Sequence, residues 1–250
     1  MSAAGKPEKL LTRNADTAAS AAGLQASNLR WSSLDRLCMA LFGLGAAALL
    51  ASLFLLGHDL TLSQSLRNAH VPGDIRKAVE LSEAFAHGSG ATMILVAIFV
   101  ASSRRSVVWI AVAMTATSGV IANILKAFFT RPRPYTYDVA TDITRAVSGD
   151  VTGWQFLGSG SFWDAAHRSF PSGHTATAWG LAIGLSMIYP RGTVVFICLA
   201  MLATYQRLYS GAHFLSDVCA GFTVACWCCA AILCIPYFRR LRDQCRRSAA

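Results

Sequence analysis

The 250-residue chain is 54% apolar and only 14% charged, where ordinary soluble domains carry about 25% charged residues. This excludes an ordinary soluble domain and points to a polytopic membrane protein of one domain. The net charge of +9 does not describe a nucleic-acid surface. The basic residues cluster where apolar runs end, as topology signals do, and are not gathered on one polar helix or interleaved with aromatics.

Cys38, Cys198, Cys219, Cys226, Cys228, Cys229, Cys234 and Cys245 all fall in apolar runs or in the basic tail. No disulfide framework follows from such placement, and each reads as a small buried hydrophobe. No paired His or second Cys-x-x-Cys accompanies Cys226-Trp-Cys228-Cys229, so no metal site is expected. Residues 1–33 are polar and Ala/Ser-rich and lack the apolar core of a signal peptide. Residues 1–35 are therefore expected to form a disordered cytoplasmic tail.

The first apolar run, 37–56, has the length that crosses a bilayer core and ends at His58-Asp59. Residues 61–80 are mixed polar, with a turn signal at Pro72-Gly73, and fit a short helix at the membrane surface. A second span, 81–102, carries Glu83 and His87 in its first turns and closes at Arg104-Arg105. The third, 107–129, stops where Pro132 and Pro134 forbid further helix. Residues 135–170 are too polar to cross, and their aromatics Trp154, Phe156, Phe162 and Trp163 suit a headgroup layer. Further spans are expected at 174–189, 193–205 and 214–238, followed by a basic cytoplasmic tail at 239–250. The fold class is all-α: six transmembrane helices with a helical-bundle core over 36–238. An even count puts both termini on one side, and Arg104-Arg105 with the arginines after Phe238 mark that side as cytoplasmic. There is no internal repeat of the kind transporters use.

Three polar clusters interrupt this pattern: Lys126 to Pro134, Pro171-Ser172-Gly173-His174, and Arg207 to Asp217. In an antiparallel bundle all three fall on the non-cytoplasmic face. His213 and Asp217, four apart, share a helix face. A carboxylate there can hold one ring nitrogen protonated and leave the other free as a nucleophile. Ser172 suits a helix N-cap, and Gly173 lets an anion approach the backbone N–H groups of the helix start. His174 in the first turn can pass a proton. Lys126, Arg133 and Arg207 supply the positive charge that a transferring phosphoryl group requires. Taken singly, each cluster also fits a bland role: snorkelling for Lys126, topology or headgroup contact for Arg131 and Arg133, capping for Ser172. Three such roles on one face, with complementary chemistry, do not arise together by accident. His58, His70, His87 and His167 lack such spacing and read as interface or loop residues, and Glu83 with His87 fits a headgroup contact.

The pattern Lys-x6-Arg-Pro, Pro-Ser-Gly-His and Arg-x5-His-x3-Asp resembles the type 2 phosphatidic acid phosphatase family, which is related to vanadium haloperoxidases and glucose-6-phosphatase. One position departs from it: the family usually has Ser before the third-motif Arg, and this chain has Gln206. The resemblance implies a metal-independent, cofactor-free phosphomonoesterase or diphosphatase. It implies His213 as nucleophile forming a phosphohistidine, Asp217 as its orienting partner and His174 as acid–base, with Lys126, Arg133, Ser172, Gly173 and Arg207 on the phosphoryl oxygens.

The expected substrate is a phospholipid, polyprenyl diphosphate or lipid A phosphate. The expected setting is a bacterial inner membrane with the pocket facing the periplasm, and with no obligate protein partner and no nucleic acid. Two other readings remain compatible with the sequence: a non-catalytic lipid-phosphate binder or transporter, and a vanadate-dependent haloperoxidase.

Overall fold

The computed structural model describes residues 33–103, 105–137, 155–156 and 164–247. Two compact units divide the chain, Met1–Leu37 and Cys38–Ala250, and the fold described below belongs to the second. The tail expected over residues 1–35 lies almost wholly outside the described residues. So do Arg104 and the aromatics Trp154, Phe162 and Trp163, and of Phe156 only the backbone is described.

In chain order the helices are α1 (Ser33–Leu55), α2 (Asp59–Arg67), α3 (Gly73–Leu81), α4 (Glu83–Ala86), α5 (Gly88–Ala101) and α6 (Arg105–Leu125). Then follow α7 (Gly173–Ile188), α8 (Thr193–Tyr209), α9 (Leu215–Cys234) and α10 (Pro236–Arg247). Among the described residues four helical stretches, Asp35–Leu55, Arg105–Leu125, Pro190–Tyr209 and Leu215–Cys234, are long and apolar enough to cross a membrane. A bent pair, Gly73–Ala86 with Gly88–Ala101, makes a fifth if it counts as one span. The helical membrane architecture is therefore present, with four to five candidate spans where six are expected from sequence.

Two local features account for the difference. The expected span at 174–189 is a helix of 16 residues, short of the roughly 20 that a bilayer core needs. The expected span at 81–102 is not one helix. It breaks at His87, whose backbone is extended (φ −79, ψ 138) and caps α5, and the two segments meet at 74°. Gly90 makes the break possible, since a Cβ there would stand 2.0 Å from the Ala84 carbonyl oxygen.

Helix α7 is the centre of the bundle and packs on α6, α8 and α9. Its buried face is built of small residues, Ala176, Ala178, Gly180, Ala182 and Gly184. Such residues let helix backbones approach closely where apolar lipid offers no competing driving force. Leu181, Leu185, Val108, Ala111, Ala200 and Ala203 complete a continuous core with α6 and α8. Helix α1 lies along α9, where Thr223 Oγ1 donates to the Gly45 carbonyl at 3.0 Å and Ser52 Oγ to the Ser216 carbonyl at 2.9 Å. Large apolar side chains point outward, among them Phe54 (74% exposed), Met93 (73%) and Val194 (72%). Such a surface suits lipid better than water.

Helix α6 ends at Leu125, four residues before the expected limit, and the chain turns into β1 (Phe129–Thr130). β1 pairs antiparallel with β2 (Gln155–Phe156), with Phe129 opposite Phe156 and Thr130 opposite Gln155. Past the strand, Arg131 N–H donates to the His167 carbonyl (2.9 Å), Ser169 N–H to the Arg131 carbonyl (3.0 Å) and Arg133 N–H to the Ala166 carbonyl (2.9 Å). This backbone stitching ties the segment after α6 to the segment before α7, which sets the first polar cluster against the second.

Candidate active site

The third cluster joins the other two through the start of α9. The N–H of Ser172 donates to the Asp217 carbonyl at 2.9 Å, which locks the beginning of α7 to the first turn of α9. A Cβ on Gly221, one turn further along α9, would stand 2.4 Å from the Ser172 carbonyl oxygen. Only a glycine admits that approach.

Ser172 is the N-cap of α7, as its sequence position indicates. Its oxygen accepts from Thr175 N–H at 3.3 Å and from Thr175 Oγ1 at 2.9 Å. Next to it, a Cβ on Gly173 would meet Lys126 Nζ and Asn123 Oδ1, each at 3.8 Å, so the bare helix start faces the ammonium.

A cavity of about 330 Å³ opens at this helix start, lined by Lys126, Arg133, Arg168, Gly173, His174 and His87, with Asn123 and Thr177 at its edge. Its charged lining is cationic. Lys126 is only 8% exposed, and burial, with the Arg133 guanidinium beside it, brings its ammonium down to about 8. Neither His213 nor Arg207 is among the cavity's lining residues, though the Arg207 guanidinium is close enough for its charge to act on His174.

His213 is 1% exposed and sits between α8 and α9. Its Nδ1 points at Asp217 Oδ2 from 3.8 Å, a separation longer than a hydrogen bond. Burial pushes its imidazole down to about 4, against the opposing pull of Asp217, so the ring is neutral at physiological pH. Asp217 itself is fully enclosed. Its Oδ2 accepts from Ser169 Oγ at 2.5 Å and from Phe214 N–H at 2.8 Å, and its Oδ1 from Arg131 Nη1 at 2.5 Å.

Arg131 is the residue the sequence most underrated. Its position after an apolar run suggests a topology or headgroup residue, yet its side chain is 0% exposed. It bridges Asp217 and Asp59, with Nη2 2.7 Å from Asp59 Oδ2 and its guanidinium stacked 4.1 Å over the Phe214 ring. Ser216 closes the network: its hydroxyl accepts from Arg131 Nη1 at 2.8 Å and donates to Asp59, and its N–H donates to Asp59 Oδ1 at 3.0 Å. Buried charges persist only when paired and hydrogen-bonded in this way. The available sequence signals were an arginine two positions before Arg133 and a carboxylate closing the first apolar run.

Glu83 is likewise not a free headgroup contact. Its Oε1 lies 2.7 Å from Arg207 Nη2 and 4.0 Å from His174 Nε2. Gln206 donates to Glu83 Oε2 at 3.4 Å and accepts from Arg207 Nε. His87 belongs to the site as well, its ring centroid 5.6 Å from that of His174. His167 instead pairs with Asp164 at 2.9 Å, outside the cavity lining.

Residues 107–241 match the family model described as PAP2 superfamily. The chain belongs to the PAP2 superfamily. All eight site residues expected from sequence lie within the matched span. Among curated relatives, the lipid A 1-phosphatase of Rhizobium etli is 33% identical over 111 residues, 44% of this chain and 42% of that protein. The lipid A 1-phosphatase of Rhizobium johnstonii is 32% identical over 111 residues, 44% of this chain and 40% of that protein. An acid phosphatase of Zymomonas mobilis is 33% identical over 79 residues, 32% of this chain and 30% of that protein. The matches thus span less than half the length of these relatives. The crystal structure of Aquifex aeolicus LpxE superposes with a TM-score of 0.53 at 24% identity, over 71% of this chain and 95% of that one. That likeness shows a shared fold.

A second cavity of about 560 Å³ runs between α5 and α6 of this PAP2 protein. It is apolar, with Leu95, Val96, Phe99, Trp109 and Val112 in its walls. It shares the wall residues Gly88, Asn123 and Thr177 with the cationic cavity, so the two adjoin.

Proposed function

We propose that this PAP2 protein is an integral-membrane lipid phosphatase that hydrolyses a phosphomonoester or diphosphate of a membrane lipid through a phosphohistidine on His213. The observation that carries this reading is a cationic cavity of about 330 Å³ that adjoins an apolar groove between α5 and α6. A lipid phosphate has those two parts in that order.

His213 Nδ1 is buried without a hydrogen-bond partner and faces Asp217 Oδ2 from 3.8 Å, which leaves Nε2 as the attacking nitrogen. Nε2 attacks phosphorus, a P–N bond forms and the bond to the leaving oxygen breaks. His174 delivers a proton to that oxygen. Water then attacks the phosphohistidine with His174 as base, the P–N bond breaks and inorganic phosphate leaves. Lys126, Arg133, Arg207, the Ser172 hydroxyl and the N–H of Gly173 take the charge spread over the phosphoryl oxygens. The Arg131–Asp59–Ser216 network fixes Asp217 behind the nucleophile.

The relatives named as lipid A 1-phosphatases make a lipid A phosphate the first substrate to test. The distribution of Arg104-Arg105 and the arginines after Phe238 favours cytoplasmic termini and a pocket on the outer face of a bacterial inner membrane. Residues 36–238 form the phosphatase domain in this reading, with α10 and the residues beyond it as the basic cytoplasmic end.

The test is phosphate release by the purified protein, in EDTA, from lipid A, phosphatidic acid, phosphatidylglycerophosphate and a polyprenyl diphosphate. Release from one or more lipids supports the reading. Binding without release from any of them overturns it.

A further inference from the structure

Arg207 and His174 belong to different helices and have different tasks in the reaction proposed above, on which this inference rests. One carboxylate touches both. Glu83 Oε1 is 2.7 Å from Arg207 Nη2 and 4.0 Å from His174 Nε2, and His174 Nε2 is a buried atom without a hydrogen-bond partner. Gln206, where the family usually has Ser, links the same carboxylate to Arg207 from the other side. Arg207 Nε and Nη2 are thereby occupied, and Nη1 is the edge left for a phosphate oxygen.

A general acid must carry its proton when the leaving group departs. The surroundings of His174 work against this. Burial disfavours its charged form most, followed by Arg207 on α8, His213 between α8 and α9, Lys126 after α6 and His87 between α4 and α5, and Arg133 and Arg168 line the same cavity. Asp217 is committed to Arg131, Ser169 and the Phe214 N–H. Glu83 is the carboxylate within reach of His174 among the described residues.

We propose that Glu83 is a positioning residue with two connected tasks. It holds Arg207, with Gln206, so that one guanidinium edge faces the phosphate. It also supplies the counter-charge that keeps His174 Nε2 protonated for delivery to the leaving oxygen.

Leaving-group dependence tests the second task, because p-nitrophenolate departs without a proton and an alkoxide does not. Full-length Glu83→Gln, Glu83→Asp and His174→Ala are compared with wild type in detergent on p-nitrophenyl phosphate and on an alkyl or lipid phosphate. Glu83→Gln should lose about 10- to 100-fold in kcat on the alkyl phosphate, part of the roughly 10²- to 10⁴-fold that general acid catalysis supplies, and less than about threefold on p-nitrophenyl phosphate. Its alkaline limb of kcat should move to lower pH, and Glu83→Asp should recover most of the loss. Equal losses on both substrates, or an unmoved pH profile, overturn the role of Glu83 toward His174, and no loss on either substrate overturns both tasks. If His174→Ala also shows no leaving-group dependence, the assignment of His174 as acid fails with it. If His174→Ala shows the dependence and Glu83→Gln does not, only the role of Glu83 falls.

Discussion

Arg131 Nη1 lies 2.5 Å from Asp217 Oδ1 in a site where both side chains are 0% exposed. The same guanidinium holds Asp59 on the opposite side. A cation between two carboxylates connects α2, the segment after β1 and the first turn of α9, and so places the carboxylate that faces His213.

Removing that cation leaves Asp59 and Asp217 buried without their partner. Breaking such a pair costs roughly 3–5 kcal/mol. Arg131→Met is expected to lower the midpoint of thermal unfolding in detergent markedly and to abolish phosphate release. A melt within a degree or two of wild type would mean that the network is not what orders the site.

The pH profile follows from two groups outside the spans. Burial holds the His213 imidazole down at about 4, so its lone pair is available above that value and is lost as pH falls through it. Burial with Arg133 brings Lys126 down to about 8, so its charge is present below that value and lost above it. kcat/KM should fall on the acid side near 4 and on the alkaline side near 8. Lys126→Arg should remove the part of the alkaline limb of kcat/KM that Lys126 sets, since a guanidinium stays charged, and leave the limb of kcat set by His174. An alkaline limb unchanged in Lys126→Arg contradicts the assignment of Lys126.

These features differ in how far the sequence announced them. The cationic and imidazole residues were legible because each belongs to a short motif with fixed spacing. Arg131 and Asp59 were not, because their partnership spans 72 positions and nothing in local periodicity reports it. The break at His87 was hidden by an apolar run that reads as continuous, although Gly88 and Gly90 stood there as signals. α8 continues to Tyr209, past the apolar limit at 205, because Gln206 and Arg207 find Glu83 and need not reach water.

Close approach of α7 and α9 makes Gly221 a sensitive position. A methyl there would stand 2.4 Å from the Ser172 carbonyl oxygen and would separate the helix start from Asp217. Gly221→Ala should cost at least about tenfold in kcat, since small displacements of catalytic groups reach 10²-fold. Gly43→Ala, with nothing within 4 Å, should match wild type. Equal activity of both variants would show that the contact is not needed.

The apolar groove between α5 and α6 predicts a substrate-dependent defect. Ala116 is an exposed groove residue, so a larger side chain there fills the groove without entering the core. Ala116→Trp should raise KM for a long-chain lipid phosphate by about tenfold or more, on the order of 1.4 kcal/mol of lost binding. Hydrolysis of p-nitrophenyl phosphate should be unchanged. Equal effects on both substrates would remove the groove from the substrate's path.

Acid-labile, alkali-stable labelling during turnover probes the chemistry itself. Purified protein mixed with a ³²P-labelled lipid phosphate and quenched in alkali should retain label on His213, with the label accumulating when water attack is slowed. His213→Ala should neither label nor turn over. Turnover by His213→Ala, or a label carried by a different residue, would contradict the assignment of His213 as the attacking group.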